Sequence, residues 1–327
     1  MNAPIQWSNL DAGRAERLQR AVSSSSAGSV LLDATIDPIV QMLTLRRLGV
    51  WSTLRHEPAE GDKHYVNQRT PGTTGGAWVA DTDSGTEETG TYAQATFEYK
   101  TALTKGRVTR KLQRTARSYG DALGIEIGGK AEDFAEFLED GMLHGDSDAS
   151  ANQPDGLITL INAQSTQVVA VTSAAAGDDL TASHLDQAID LIKGREDRSK
   201  IRIYANASGK RKINALLASN QQFNDKIEIA GGFRVRSYDD APIIESTELR
   251  STYTWGGSSV TAFSGASTEI ILLVHDDYVQ IDDLSPVTTV PLAKTSSQQD
   301  DFEMYWDGAP VLLNTKGAAL IGGIAAS

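Results

Sequence analysis

The chain has 327 residues, no cysteine, and 30 Lys and Arg against 43 Asp and Glu, a formal net charge of −13. A hydrophobic share of 40% supplies the apolar surface of a globular chain and excludes a disordered polymer. Without cysteine there is no disulfide framework, thiolate catalysis or cysteine-ligated metal, and the acidic balance argues against a protein that reads DNA, which is basic.

The N-terminal stretch is polar and charged, with no apolar core ahead of a small-residue cleavage site. The longest apolar runs, such as Ile270-Ile271-Leu272-Leu273-Val274, are strand-sized and far short of the roughly 20 residues of a membrane span. A soluble chain with no membrane partner is expected, and its length suggests two or three domain-sized units. Residues 10–22 read as a short helix with Leu10, Leu18 and Val22 on one side, marginal without a surface to pack on. A serine-rich linker follows at 23–28, and Asp37-Pro38 opens a second helix carrying Ile39, Met42, Leu43 and Leu48.

Residues 64–69 and 92–99 read as strands. Between them, 70–90 is rich in Gly, Thr and Asp, with Trp78 and Val79 its only large apolar residues. The pattern predicts a long two-stranded hairpin with almost no core of its own, which is marginal in water unless it packs on something. Charge is segregated along it. From 70 to 99 the charged residues are Asp81, Asp83, Glu87, Glu88 and Glu98; from 100 to 117 they are Lys100, Lys105, Arg107, Arg110, Lys111, Arg114 and Arg117. An acidic reach followed by a basic root suits pairing between copies of the chain. The plainer alternative is two solvated faces, because exposed ion pairs contribute only about 0–1 kcal/mol each.

The strongest helical pattern spans 121–144, where Leu123, Ile127, Ala131, Phe134, Leu138 and Met142 form one stripe. Gly124, Gly128 and Gly129 interrupt it and suggest close backbone packing or a kink. Gly145 ends it, and a polar stretch leads to the turn Pro154-Asp155-Gly156. Strands are then expected at 168–171, 200–204, 227–229 and 233–235, and at 268–275. A helix with Leu185, Ala188, Ile189 and Ile192 inward ends at Gly194, and Ser208 is expected to cap a helix carrying Ile213, Leu216 and Leu217. An acidic, proline-punctuated region follows to Pro291, with late strands at 302–306 and 311–314. Helices and strands mix without a strict βαβ repeat, which makes the fold class α+β.

Signatures of catalysis are not met. Gly209-Lys210 lacks the leading glycine and following Ser or Thr of a phosphate loop, and Ser258 and Ser264 lack the flanking glycines of a nucleophile elbow. The histidines 56, 64, 144, 184 and 275 never fall two to a helical turn. His144-Gly145-Asp146-Ser147-Asp148 lacks the spacing of a calcium loop and reads as a solvated turn. Four pairs, Asp239-Asp240, Asp276-Asp277, Asp282-Asp283 and Asp300-Asp301, offer glycosidase-type carboxylates whose separation a sequence does not report. The reading is of a protein that is not an enzyme and takes no catalytic residue, metal or cofactor.

The order of parts carries a resemblance. An N-terminal arm, a core-poor hairpin, a long amphipathic helix ending in a Gly-Asp turn, Pro154-Asp155-Gly156-Leu157-Ile158, an α/β segment, and Ala241-Pro242-Ile243-Ile244-Glu245-Ser246 leading to late strands together resemble the HK97-like major capsid proteins of tailed bacteriophages. The resemblance implies an N-arm at 1–50 and an E-loop region at 51–108 that lies across a neighbouring subunit. It implies a P-domain with a spine helix at 109–155 and 277–307, and an A-domain at 156–276 and 308–327.

The implied function is a structural virion protein, assembled in the host cytoplasm as pentamers and hexamers of an icosahedral shell that encloses double-stranded DNA without reading it. Implied partners are the chain itself, a separate scaffolding protein and a portal, with a decoration protein as an optional addition. The implied subunit interface comprises Arg69, Trp78, Val79, Asp81, Asp83, Glu87, Glu88, Lys100, Lys105, Arg107, Arg110 and Arg114. Some members of the family cross-link through an E-loop lysine; 70–99 has none, and Lys63 and Lys100 sit at the hairpin's root. Some carry a long N-terminal scaffolding segment; the fifty or so residues ahead of the hairpin are too few for it, and Met1 favours a separate scaffold over a processed form. The competing readings are an encapsulin-like nanocompartment shell and, from another class, an acidic α+β hydrolase.

Overall fold

The computed structural model describes residues 49–70, 78–81, 90–116, 121–171, 177–219, 226–229, 233–250, 268–293 and 298–325. The two helices and linker expected in the arm lie outside the described residues, as do Asp83, Glu87, Glu88 and Arg117. The strands are β1 Arg55–Pro58, β2 Lys63–Thr70, β3 Thr91–Glu98, β4 Lys100–Thr109, β5 Val168–Ala170, β6 Ile201–Ala205, β7 Lys226–Ile229, β8 Phe233–Tyr238, β9 Ala241–Glu245, β10 Thr268–His275, β11 Val279–Pro291, β12 Gln299–Leu312 and β13 Ala318–Ala325. The helices are α1 Arg110–Ala116, α2 Ala122–His144, α3 Leu157–Asn162, α4 Ala182–Leu191 and α5 Ala207–Ser219.

Three sheets organise these strands. A four-stranded sheet runs β1-β11-β12-β4, a seven-stranded mixed sheet runs β5-β13-β10-β6-β9-β8-β7, and β2 pairs only with β3. The seven-stranded sheet is the wall between two cores. Along β10, Ile270, Leu272 and Val274 enter one core while Ile271 and Leu273 enter the other, the period-two alternation of a strand covered on both faces. Helices α4 and α5 cover one face through Leu185, Ala188, Ile189, Ile213 and Leu217. Helices α2 and α3 and the four-stranded sheet share the other core, through Phe134, Leu138, Met142, Leu157, Ile161, Phe302 and Trp306. Burying each of the leucine, isoleucine, methionine and phenylalanine side chains contributes about 1.5–3 kcal/mol.

The spine helix starts where the sequence places it. Asp121 is its N-cap and accepts a hydrogen bond from the Leu123 N–H at 3.1 Å, and Gly145 closes it. Its buried stripe is rotated from the expected one: Ala131 is exposed, while Glu139 and Leu143 are buried. The glycines do not mark close packing. A Cβ at Gly128 or Gly129 meets nothing within 4 Å, and one at Gly124 meets only the capping Asp121. The cap of α5 is Asn206, not Ser208: Asn206 Oδ1 accepts from the Gly209 N–H at 2.6 Å, and Ser208 falls inside the first turn.

The region 277–314 departs most from expectation. The acidic, proline-punctuated stretch is the 13-residue strand β11, and the two late strands expected at 302–306 and 311–314 are one 14-residue strand, β12. It runs unbroken past position 308, where a domain change was expected; the chain changes sheets between Leu312 and Ala318. Pro286 is tolerated because β11 bulges between Asp283 and Thr288, and Pro291 because it is the strand's last residue. Strand β4, expected within the E-loop region, pairs along its whole length with β12.

Candidate functional site

The hairpin is built as the sequence suggests. Strands β2 and β3 pair antiparallel from Lys63↔Glu98 to Thr70↔Thr91, and Val66 is its one buried apolar side chain among the described residues. Tyr65, Trp78, Val79 and Tyr92 are exposed, Trp78 completely, and Asp81 is exposed beside them. Large apolar side chains left in the open make this hairpin a candidate surface for a covering partner. Arg69 lies over the Tyr92 ring at 6.0 Å, its cross-strand partner, which stiffens the hairpin by cation–π attraction.

The root of the hairpin is pinned by carboxylates of β11. Asp282, buried, takes the Tyr99 hydroxyl at 3.0 Å and the Gln280 amide at 2.6 Å, and pairs with His64 Nδ1 at 2.5 Å. One buried acid thus ties β2, and the residue that links β3 to β4, to the sheet. Its neighbour Asp283 accepts from Trp306 Nε1 at 2.6 Å and pairs with His56 Nδ1 at 2.8 Å. That hydrogen bond holds the His56 imidazolium above the ordinary histidine range, against the opposing effect of burial. At the surface, Lys63 and Lys100 both bond Glu98 and draw its carboxyl down to about 2.

A second buried acid holds the point where the N-terminal segment joins the body. Glu139 of α2 accepts from the Gly49, Val50 and Trp51 N–H groups at 3.0, 3.2 and 3.4 Å, and from the Ser246 hydroxyl. Burial pushes its carboxyl above the ordinary range, against those four donors.

The basic residues divide into two groups. Lys100 is bonded to Glu98, Lys105 sits 3.6 Å from Glu303, and Arg107 makes a two-pronged contact with Asp301 at 2.7 and 3.4 Å. Their partners are the cross-strand residues of β12 in the last two cases. Arg110 and Arg114 instead line a groove at the end of β4, together with Lys111.

The aspartate pairs are committed to structure. Asp239 and Asp240 take left-handed φ values of 49° and 67° in the two-residue turn between β8 and β9, as a type I′ hairpin turn requires. Asp276 pairs with Arg202 at 2.7 Å and Asp277 with Lys200 at 2.9 Å. Asp300 accepts from Gln113 at 2.9 Å, and Asp301 holds Arg107. In the 145–156 turn, Asp146 and Asp155 accept backbone N–H groups of residues 147–149. Among the described residues no helix is long and apolar enough to cross a membrane.

The sequence singles out His56, His64, Asp282 and Asp283 without this role, and does not single out Tyr99 or Glu139. A signal existed for the aspartates: Val279, Ile281 and Leu284 frame them in a strand-like pattern, which makes one of the pair a buried acid needing donors.

Comparisons with known proteins agree with this architecture. A profile described as the phage capsid family matches residues 28–252. No curated protein matches the sequence significantly. The SrpI encapsulin of Synechococcus elongatus PCC 7942 superposes with a TM-score of 0.66 at 13% identity, over 92% of this chain and 95% of that one. The capsid of a native GTA particle gives 0.64 at 14% identity, over 93% and 99%. The capsid of Myoviridae phage XM1 gives 0.59 at 10% identity, over 89% and 97%.

Proposed function

Because this chain belongs to the phage capsid family, with an HK97-like fold, we propose that it is the major head protein of a tailed bacteriophage and forms the pentamers and hexamers of an icosahedral shell. It is a structural major capsid protein, and its place is the virion. The four-stranded sheet with α2 serves as the P-domain and the seven-stranded sheet as the A-domain, the return to the A-domain falling at 313–318. The N-terminal arm and the hairpin lie across neighbouring subunits. Double-stranded DNA is enclosed without sequence readout, and assembly takes place in the host cytoplasm with a separate scaffolding protein, a portal and, on the finished shell, a decoration protein. Chemistry plays no part: many weak, repeated contacts do the work.

The observation that carries this reading is the β2–β3 hairpin. It is fixed to the body at its root through Asp282, yet Tyr65, Trp78, Val79 and Tyr92 stay exposed among the described residues. A neighbouring copy supplies the missing cover. The encapsulin likeness, at 13% identity, is one of fold, and the content of the shell separates the two readings. Particles purified after expression in a host carrying the whole virus are expected to contain nuclease-protected DNA; particles filled with an enzyme and free of DNA would favour the nanocompartment.

A further inference from the structure

A groove of about 520 Å³ opens where β4 passes into α1, with Arg110, Lys111 and Arg114 on one side and Gln298 and Gln299 on the other. The charges of the ladder leading to it are matched within the chain. Lys105 faces Glu303, Arg107 holds Asp301, and Asp300 accepts from Gln113. The groove's own cations are not matched: no ion pair joins Arg110, Lys111 or Arg114 to a carboxylate among the described residues. The first turn of α1 holds no acid, and the adjoining stretches 117–120 and 294–297 have Arg117 and Lys294 as their only charged residues. Arg114 lies three residues from Lys111 and four from Arg110, spacings at which like charges on a helix repel. An anion from outside relieves that repulsion.

The lining decides the kind of anion. Every side chain around the groove is Arg, Lys, Thr or Gln, and none is apolar. Surfaces that dock another protein are built around a core of apolar and aromatic side chains. Surfaces that contact nucleic acid are polar and basic, and these four residue types are among those that bond phosphate oxygens. A lone carboxylate would match one of the three cations, whereas a phosphodiester strand brings successive charges at a regular spacing. A chain of net charge −13 otherwise repels such a polyanion. The uncompensated groove is where a nucleic-acid strand can come close.

We propose that the Arg110–Lys111–Arg114 groove binds the phosphate backbone of DNA, one phosphate to each cation, without reading its sequence. The proposal rests on the shell reading above and deepens it by giving the enclosed DNA a contact on every subunit. It takes Arg110 and Arg114 out of the subunit interface and gives them, with Lys111, to the contents of the shell.

The test is fluorescence anisotropy of a short labelled DNA duplex titrated with the full-length dissociated subunit at several salt concentrations. Three phosphate contacts predict that log affinity falls against log salt with a slope of about −2.7, roughly fortyfold between about 50 and 200 mM. R110Q, K111Q and R114Q should each make that slope shallower by about 1. The triple variant should bring it near zero with the circular dichroism unchanged, and the charge-preserving R110K/K111R/R114K should restore it. A wild-type slope in the triple variant, or no binding by the unaltered subunit at about 50 mM salt, overturns the proposal while the shell reading stands. Competition by poly-glutamate as effective, charge for charge, as by inorganic polyphosphate assigns the groove to carboxylates and overturns it too. If the subunit binds with the expected slope but forms no shells in electron microscopy, the groove stands and the shell reading falls.

Discussion

Replacing Glu139 by alanine is expected to cost the folded subunit about 3–5 kcal/mol, and replacing it by glutamine only about 1 kcal/mol. The difference follows from which oxygen takes which donor. Oε1 accepts from Gly49 N–H, Val50 N–H and the Ser246 hydroxyl, while Oε2 accepts only from Trp51 N–H, at 3.4 Å the longest of the set. Alanine leaves all four donors without an acceptor, at about 1–3 kcal/mol for each that stays buried and unpaired. Relief from burying a charge offsets part of that sum. Glutamine keeps an oxygen at the Oε1 position and sets its amide group against only the weakest donor. The acidity of the group adds a sign. Burial raises the Glu139 carboxyl above its unfolded value, so the folded chain holds this proton more tightly. Its contribution to stability therefore falls as pH rises from the ordinary glutamate range through the raised value, and E139Q lacks that component. The assay is urea unfolding of dissociated subunits, followed by tryptophan fluorescence, with Trp51 edge-on to Trp306 at 5.4 Å as reporter. An E139A midpoint within experimental error of the wild type, or E139Q as damaging as E139A, refutes the reasoning.

Other residues give sharper or simpler readings. The folded pKa of His56 is raised by Asp283, so its pairing stabilises below the ordinary histidine value and fades as pH rises through the raised one. The gap between wild type and H56Q in unfolding midpoint should therefore be wider near about pH 6 than near about pH 9; equal gaps contradict the pairing. Gly128→Ala and Gly129→Ala should each stabilise the dissociated subunit by about 1 kcal/mol, because the added methyl meets open space on an exposed helix face. A loss in urea midpoint would show that these positions need glycine. Gly106→Val should destabilise by about 1–3 kcal/mol, since the ring of its cross-strand partner Phe302 lies where a Cβ belongs; an unchanged midpoint contradicts that packing. D282A should loosen the hairpin at its root, read as faster limited proteolysis within 63–99 while α2 stays protected.

The elements legible in the sequence were those whose pattern is local. The extent of α2, the buried run of β10 and the core-poor hairpin all announce themselves in a few turns or steps. What escaped depends on partners distant in sequence. Strand β11 hid behind its prolines, one of which falls in its bulge, and behind its aspartates, to which His56, His64, Tyr99, Gln280 and Trp306 bring donors from within the fold. Glu139 looked like one more polar residue of the helix, and nothing within a turn of it indicates the backbone at 49–51 that it holds. The charge pattern of 100–114 was plain, but its division into paired and unpaired cations required the register of β4 on β12.

The central claim is that this chain builds a closed shell whose hairpins cover neighbouring subunits. Cryo-electron microscopy of the purified, assembled protein tests it most directly. The account predicts icosahedral particles in which Trp78 and Val79 are buried against an adjacent copy. A monodisperse monomer, or shells whose hairpins point free of their neighbours, would contradict it.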